Sequence, residues 1–215
     1  MSLPAVESSC SAVILSGGHN SRMDGKNKAF LKIGNKSILD RIIETITPLF
    51  DEVLLVTREP ELYQGYALSI VEDIIQSRSS LTGIHAGLVQ ARSPFTFVVP
   101  CDVPFLRREL VISLLSQLKP ALDVIVPTQG NYFQPLCAIY SKRCIPPIEE
   151  QLLHNDFKIF NFFEKINLKT IPVETFRAFD PDLQSFFNVN TPTAYEEAQK
   201  IAAQLKCHPS YRSIS

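Results

Sequence analysis

The sequence predicts an α/β protein, a three-layer arrangement in which a mainly parallel sheet carries helices on both faces. Two observations predict it. Short runs such as SAVILS, EVLLVT and FTFVVP are mostly apolar with no polar alternation, as strands covered on both sides must be. Between them lie segments whose apolar residues recur at three- and four-residue spacing, the period of an amphipathic helix. Strands alternating with helices are the pattern of a parallel sheet whose crossovers cover its faces.

In order, residues 11–16 form the first predicted strand, ending at Gly17-Gly18. From Ser37, the spacing of Ile38, Leu39, Ile42, Ile43, Ile46 and Leu49 predicts a helix closed near Pro48, with Lys36 at its start. EVLLVT and ALSIVED are the second and third strands. Ile84, Leu88 and Ala91 predict a helix after Gly83. FTFVVPCDVPF is a fourth strand that stops at Pro100, and Leu110 to Leu118 a further helix. DVIVP, PLCAIYS and NLKTIPV are later strands. Residues 145–154 and 157–163 read as helical, and a last helix begins after Asn190 and runs through Leu205. With no repeat, low-complexity run or Gly/Ser linker, residues 1–215 are expected to form one domain with frayed tails at about 1–9 and 207–215.

Composition excludes several functions. Of 215 residues, 45% are hydrophobic and 20% charged, as in a protein with a sizeable core. The net charge of -1 lacks the basic footprint of a nucleic-acid binder. No apolar run is long enough for a membrane span, and MSLPAVESSC is not a secretory signal. Five scattered cysteines and four separated histidines match neither a disulfide framework nor a zinc site. A reducing, cytoplasmic setting is expected.

Open α/β sheets bind ligands at the carboxyl ends of their strands. Three segments should therefore converge on one edge: LSGGHNSR after the first strand, Glu72-Asp73 after the third, and PCDVPF after the fourth. Gly17 and Gly18 suit close backbone approach and positive φ, so that their N–H groups could cradle an anion. Arg22, Lys26, Lys28, Lys32 and Lys36 crowd a chain that is nearly neutral, opposed there only by Asp24. Arg22 and Lys28 can neutralise phosphate. The usual dinucleotide and Walker fingerprints are absent. Asp102 could hold Mg²⁺ together with phosphate oxygens, or could cap a turn beside Pro104. Cys101 as a nucleophile lacks a histidine close in sequence.

These residues resemble a known family. LSGGHNSRMDGKNKAFL resembles the L-A-G-G-x-S-x-R-M-G-x-x-K signature of molybdenum cofactor guanylyltransferases. SLTGIHAGL, PCDVPFL, QPLCAIYSKRCIPPIEEQL and FFNVNTPTAYEEA resemble four further segments, all in family order. The resemblance implies a Rossmann-like nucleotidyltransferase fold of the glycosyltransferase-A type. It implies transfer of GMP from GTP to the phosphate of molybdopterin, releasing pyrophosphate. Leu15, Ser16, Gly17, Gly18, Lys28, Asp73, Gly83 and Asp102 would bind the nucleotide. Arg22, Lys28 and Asp102 would be catalytic, Asp102 would hold Mg²⁺, and Asn188 and Asn190 would serve the acceptor. Transient contacts with cofactor-synthesis proteins or molybdoenzymes are implied, with no nucleic acid and no membrane. The chain departs from the pattern at Asp24, Asn27, Thr57, Ser80 and Ala194. A cytidylyltransferase or other small-molecule nucleotidyltransferase, and a nucleotide-binding regulator without turnover, stay open as alternatives.

Overall fold

The computed structural model describes residues 10–17, 27–73, 75 and 79–207. In chain order its strands are β1 (Cys10–Ser16), β2 (Lys32–Ile33), β3 (Lys36–Ser37), β4 (Val53–Thr57), β5 (Ser69–Glu72), β6 (Phe95–Pro100), β7 (Val124–Gln129), β8 (Tyr132–Phe133), β9 (Ala138–Ser141) and β10 (Leu168–Pro172). Its α-helices are α1 (Ile38–Ile46), α2 (Ser80–Gln90), α3 (Arg108–Leu115), α4 (Ile145–Leu153) and α5 (Pro192–Cys207).

The first apolar run has no polar side because both its faces are covered. Successive β1 side chains point to opposite faces. Ala12 and Ile14 enter one core, Val13 and Leu15 the other. Over the first face lie α1 with Ile38, Leu39, Ile42 and Ile46, α3 with Leu110, Val111 and Leu114, and α5 with Ala198 and Ala202. Over the second lie α2 with Leu81, Ile84 and Leu88, α4 with Ile148, and Phe162 and Phe163 from a 3₁₀ stretch, Ile159–Lys165. Each fully buried aliphatic or phenyl side chain contributes about 1.5–3 kcal/mol. The expected three layers are present.

The main sheet runs β10-β7-β9-β6-β1-β4-β5, with β8 paired to β7. The pairs β6–β1, β1–β4, β4–β5 and β10–β7 are parallel; β9 lies antiparallel between β6 and β7. Apolar periodicity locates a buried strand without giving its direction, so β9 was visible as a strand but not as a reversed one.

Several boundaries move. Lys36 does not begin a helix; it pairs in β3 with Ile33 of β2. Ser37 caps α1 instead: its hydroxyl accepts from the Asp40 N–H at 3.0 Å, and the Asp40 carboxylate accepts from the Ser37 N–H at 3.3 Å. Helix α2 starts before Gly83, not after it. Ser79 caps it by accepting from the Thr82 N–H. Gly83 and Gly87 sit on the helix face pressed to β1: a Cβ at Gly83 would stand 3.1 Å from Leu15, and one at Gly87 only 2.8 Å from Val13. These glycines are spacers that let α2 close on the sheet. The predicted helix at 157–163 is the 3₁₀ stretch already named.

Candidate functional site

Register brings the three predicted segments together. Ser16 pairs with Thr57 and Leu15 with Pro100, while Thr57 also pairs with Glu72. Each ladder continues one residue further: the Cys101 N–H donates to the Leu15 carbonyl and the Asp73 N–H to the Thr57 carbonyl, both at 2.9 Å. The carboxyl ends of β1, β4, β5 and β6 thus stand in a row. Above them opens a cavity of about 480 Å³, a size that suits a small-molecule ligand. Leu15, Ser16, Gly17, Lys28, Asp73, Gly83 and Asp102 line it, with Asn27, Thr57, Arg58, Ser79, Cys101 and Leu136 among the others.

Asp102 and Lys28 face each other across this cavity, Nζ to Oδ2 at 3.9 Å, each side chain 15% exposed. The Lys28 ammonium also donates to Asn190 Oδ1 at 2.5 Å. The other carboxylate oxygen of Asp102, Oδ1, is buried with no hydrogen-bond partner. Burial raises the Asp102 carboxyl above its ordinary value, and the Lys28 charge pulls it partly back. A buried charged oxygen left open is costly, so its openness points to a ligand. Nor does Asp102 cap a helix: α3 begins at Arg108, with Arg107 at its N-cap.

The segment before α5 is tied to the same place. The Val189 N–H donates to the Asp102 carbonyl at 2.9 Å. The helix cap is Thr191, whose hydroxyl accepts from the Ala194 N–H at 3.1 Å. Asn190 is therefore released from capping and turned to Lys28. Asn188, expected beside it, is exposed next to buried Val189; neither asparagine is among the cavity's lining residues, and only Asn190 reaches Lys28.

Asp73 is firmly held. Its Oδ2 accepts from the Thr82 hydroxyl at 2.8 Å and lies 3.5 Å from the Arg58 Nε; its Oδ1 accepts from the Ile75 N–H at 3.3 Å. Arg58 also donates to the Ile75 carbonyl. Thr57 has its hydroxyl committed to accepting from the Glu59 N–H at 3.1 Å.

Gly17 lines the cavity, but its φ is not in the left-handed region; a Cβ there would meet nothing within 4 Å. Its value is open space, not the positive φ expected of it. Gly18, Arg22, Asp24 and Lys26 lie outside the described residues, as do the tails at 1–9 and 208–215. Burial pushes the Cys101 thiol up to about 12, and the neighbouring Asp102 charge adds to this, which removes it as a nucleophile. Arg58, Tyr63 and Thr82 were not foreseen. Their roles arise from tertiary contacts that no local pattern encodes; only the Ser79–Thr82 cap has a short-range signal. Among the described residues no group of three or more His, Cys, Asp or Glu could hold a metal, and no helix is long and apolar enough to cross a membrane.

A lysine, a carboxylate with an open oxygen and a helix N-terminus at the carboxyl edge of parallel strands define a nucleotide-handling α/β protein. The family model of the MobA-like NTP transferase domain matches residues 12–167. A molybdenum cofactor guanylyltransferase from Desulfosudis oleivorans is 36% identical over 90% of this chain and 95% of its own length. A probable molybdenum cofactor guanylyltransferase from Natranaerobius thermophilus is also 36% identical, over 88% and 95%. The crystal structure of molybdopterin-guanine dinucleotide biosynthesis protein A from Archaeoglobus fulgidus superposes with a TM-score of 0.80 at 28% identity, covering 90% of this chain and 99% of that one. The chain belongs to the MobA-like NTP transferase family, alongside the molybdenum cofactor guanylyltransferases, and is a nucleotidyltransferase.

Proposed function

We propose that the chain transfers GMP from GTP to the phosphate of molybdopterin and releases pyrophosphate. The relatives' names suggest the two substrates. The observation that carries the chemistry is the Lys28–Asp102–Asn190 cluster with its open Asp102 oxygen.

An oxygen of the acceptor phosphate attacks the α-phosphorus of GTP, and the bond from that phosphorus to the β-bridging oxygen breaks in line. The attacker is already an anion, so no strong general base is required. The protein's part is positioning and charge neutralisation. Lys28 opposes the triphosphate charge, Gly17 admits it close to the backbone, and the N-terminus of α2 faces the same cavity. Asp102 would hold Mg²⁺: a carboxylate with an open oxygen suits an ion that takes its other ligands from phosphate and water. When bound, the ion neutralises charge on phosphate oxygens. Arg22 and Gly18 would join the phosphate contacts, and Asp73 the nucleoside. Asn190 would present its amide to the acceptor once Lys28 engages phosphate, with Asn188 reached only from outside the cavity. We propose a cytoplasmic setting on the strength of the free thiols Cys10, Cys101, Cys137 and Cys144. Passing on the product would call for transient contact with cofactor-synthesis proteins or molybdoenzymes.

Competition between GTP and CTP for transfer to molybdopterin tests this reading. GTP should win by about tenfold, or about 1.4 kcal/mol. CTP preferred by wild type would overturn the guanylyl assignment.

A further inference from the structure

Tyr63 closes the 3₁₀ turn Pro60–Tyr63 that follows β4. Its side chain is fully buried and its ring stacks on Phe30, centroids 5.2 Å apart. A buried phenol needs partners for its oxygen, and it finds them at two places far apart in sequence. One is Ser16 Oγ at 2.5 Å, the other Asn27 Nδ2 at 2.8 Å. Ser16 ends β1 immediately before Gly17, and Asn27 immediately precedes Lys28.

One of these bonds has a fixed direction. Asn27 Oδ1 accepts from the Ala29 N–H at 3.1 Å. The amide nitrogen must therefore be the atom facing the phenol, and it can only donate. The phenol oxygen accepts from Asn27. Its bond to Ser16 Oγ can run in either direction, and together the two bonds join Asn27, Tyr63 and Ser16 in one chain.

We infer that Tyr63 is a positioning residue whose hydroxyl locks the end of β1 to the turn carrying Lys28, and so sets where Gly17 and Lys28 stand across the cavity. This rests on the proposal that Gly17 and Lys28 hold the triphosphate. No part of it requires Tyr63 to touch substrate, and Tyr63 is not among the cavity's lining residues.

The test is titration calorimetry of wild type, Tyr63→Phe, Asn27→Ala and the double variant against GTP and against guanosine. Phenylalanine keeps the ring and its stack on Phe30 and removes only the hydroxyl. GTP affinity should fall roughly threefold to tenfold in either single variant, the net worth of one hydrogen bond. Guanosine affinity should hold, since the nucleoside end of the cavity is untouched. The double variant should be no worse than the worse single one, because both break the same chain. Asn27→Asp, whose carboxylate can accept from a reversed phenol, should restore most of what Asn27→Ala loses. Tyr63→Phe binding GTP like wild type would overturn the inference. So would equal losses for GTP and guanosine, or additive losses in the double variant, since those mark a merely structural hydroxyl. If Tyr63→Phe does not fold, Asn27→Ala against Asn27→Asp decides alone. Wild type failing to bind GTP would instead overturn the reading underneath.

Discussion

Two sequestered aspartates, one at the end of β6 and one in the turns before α5, are treated in opposite ways. Asp180 is fully buried and its oxygens are all engaged. Oδ1 accepts from Arg107 Nε at 3.2 Å and the Gln184 N–H at 3.0 Å, and Oδ2 from the Ser185 N–H at 2.9 Å. Asp102 is nearly as sheltered, yet Oδ1 has no partner and Oδ2 has a lysine at 3.9 Å that bonds Asn190 instead. Where a carboxylate serves the fold, the polypeptide supplies every donor. Where it serves a ligand, the polypeptide leaves a position open and bears the cost.

The comparison can be broken most directly by exchanging each carboxylate for its amide. Asp102→Asn should lower turnover on the order of a hundredfold or more while leaving thermal stability equal or higher. Asp180→Asn should do the reverse, costing about 3 kcal/mol of stability with turnover per folded molecule unchanged. Pyrophosphate release across a Mg²⁺ titration and urea unfolding of both variants would show it. Near-normal turnover of Asp102→Asn at ordinary Mg²⁺ would take Asp102 out of the metal site.

A smaller effect sharpens the same contrast among the cations. Lys28→Ala should weaken GTP binding by roughly 1.5–3 kcal/mol, the scale of a charge-assisted contact. Lys36, paired in the open with Glu44 at 2.7 Å, should change it by about 0.5 kcal/mol or less on removal. Equal losses would mean only general attraction to a cationic surface.

The smallest effect is in pH. Burial raises the Asp102 carboxyl above its usual 3.8, so the folded chain holds that proton more tightly than the unfolded chain. The linked stability is complete below 3.8 and is lost as pH rises through the folded-state value. The melting temperature of wild type relative to Asp102→Asn should therefore climb on acidification from neutrality. A difference that does not change with pH would show that the carboxyl titrates as it would in water.

Much of this molecule was legible in its sequence. Runs such as residues 11–16 and 95–100 announced buried strands, and the strand-end rule led to Gly17, Asp73 and Asp102. Beyond the local caps of Ser37 and Ser79, what escaped depends on residues distant in the chain. Gly83 read as a helix boundary because glycine usually weakens helices; its real reason is Leu15, 3.1 Å from where its Cβ would be. Thr191 and Asn190 are equally good caps by composition, and only the position of Lys28 decides between them. Asp180 carries no signal in its own stretch, because its partner Arg107 lies 73 positions away. Tyr63 carries none either, because Ser16 and Asn27 lie 47 and 36 positions away.

The bond between Lys28 and Asn190 spans 162 positions, and this has a consequence for the chain during synthesis. The central strand β1 must wait for β6 before its second neighbour exists, and the last edge strand, β10, ends at Pro172. A nascent chain that far along already encodes every strand of the sheet, with Gly17, Asp73 and Asp102 on one edge, but it cannot yet supply the amide that holds Lys28. The site is thus completed only after every strand of the sheet has been made, and a chain interrupted between Pro172 and Asn190 would encode a nearly whole scaffold with an unfinished site.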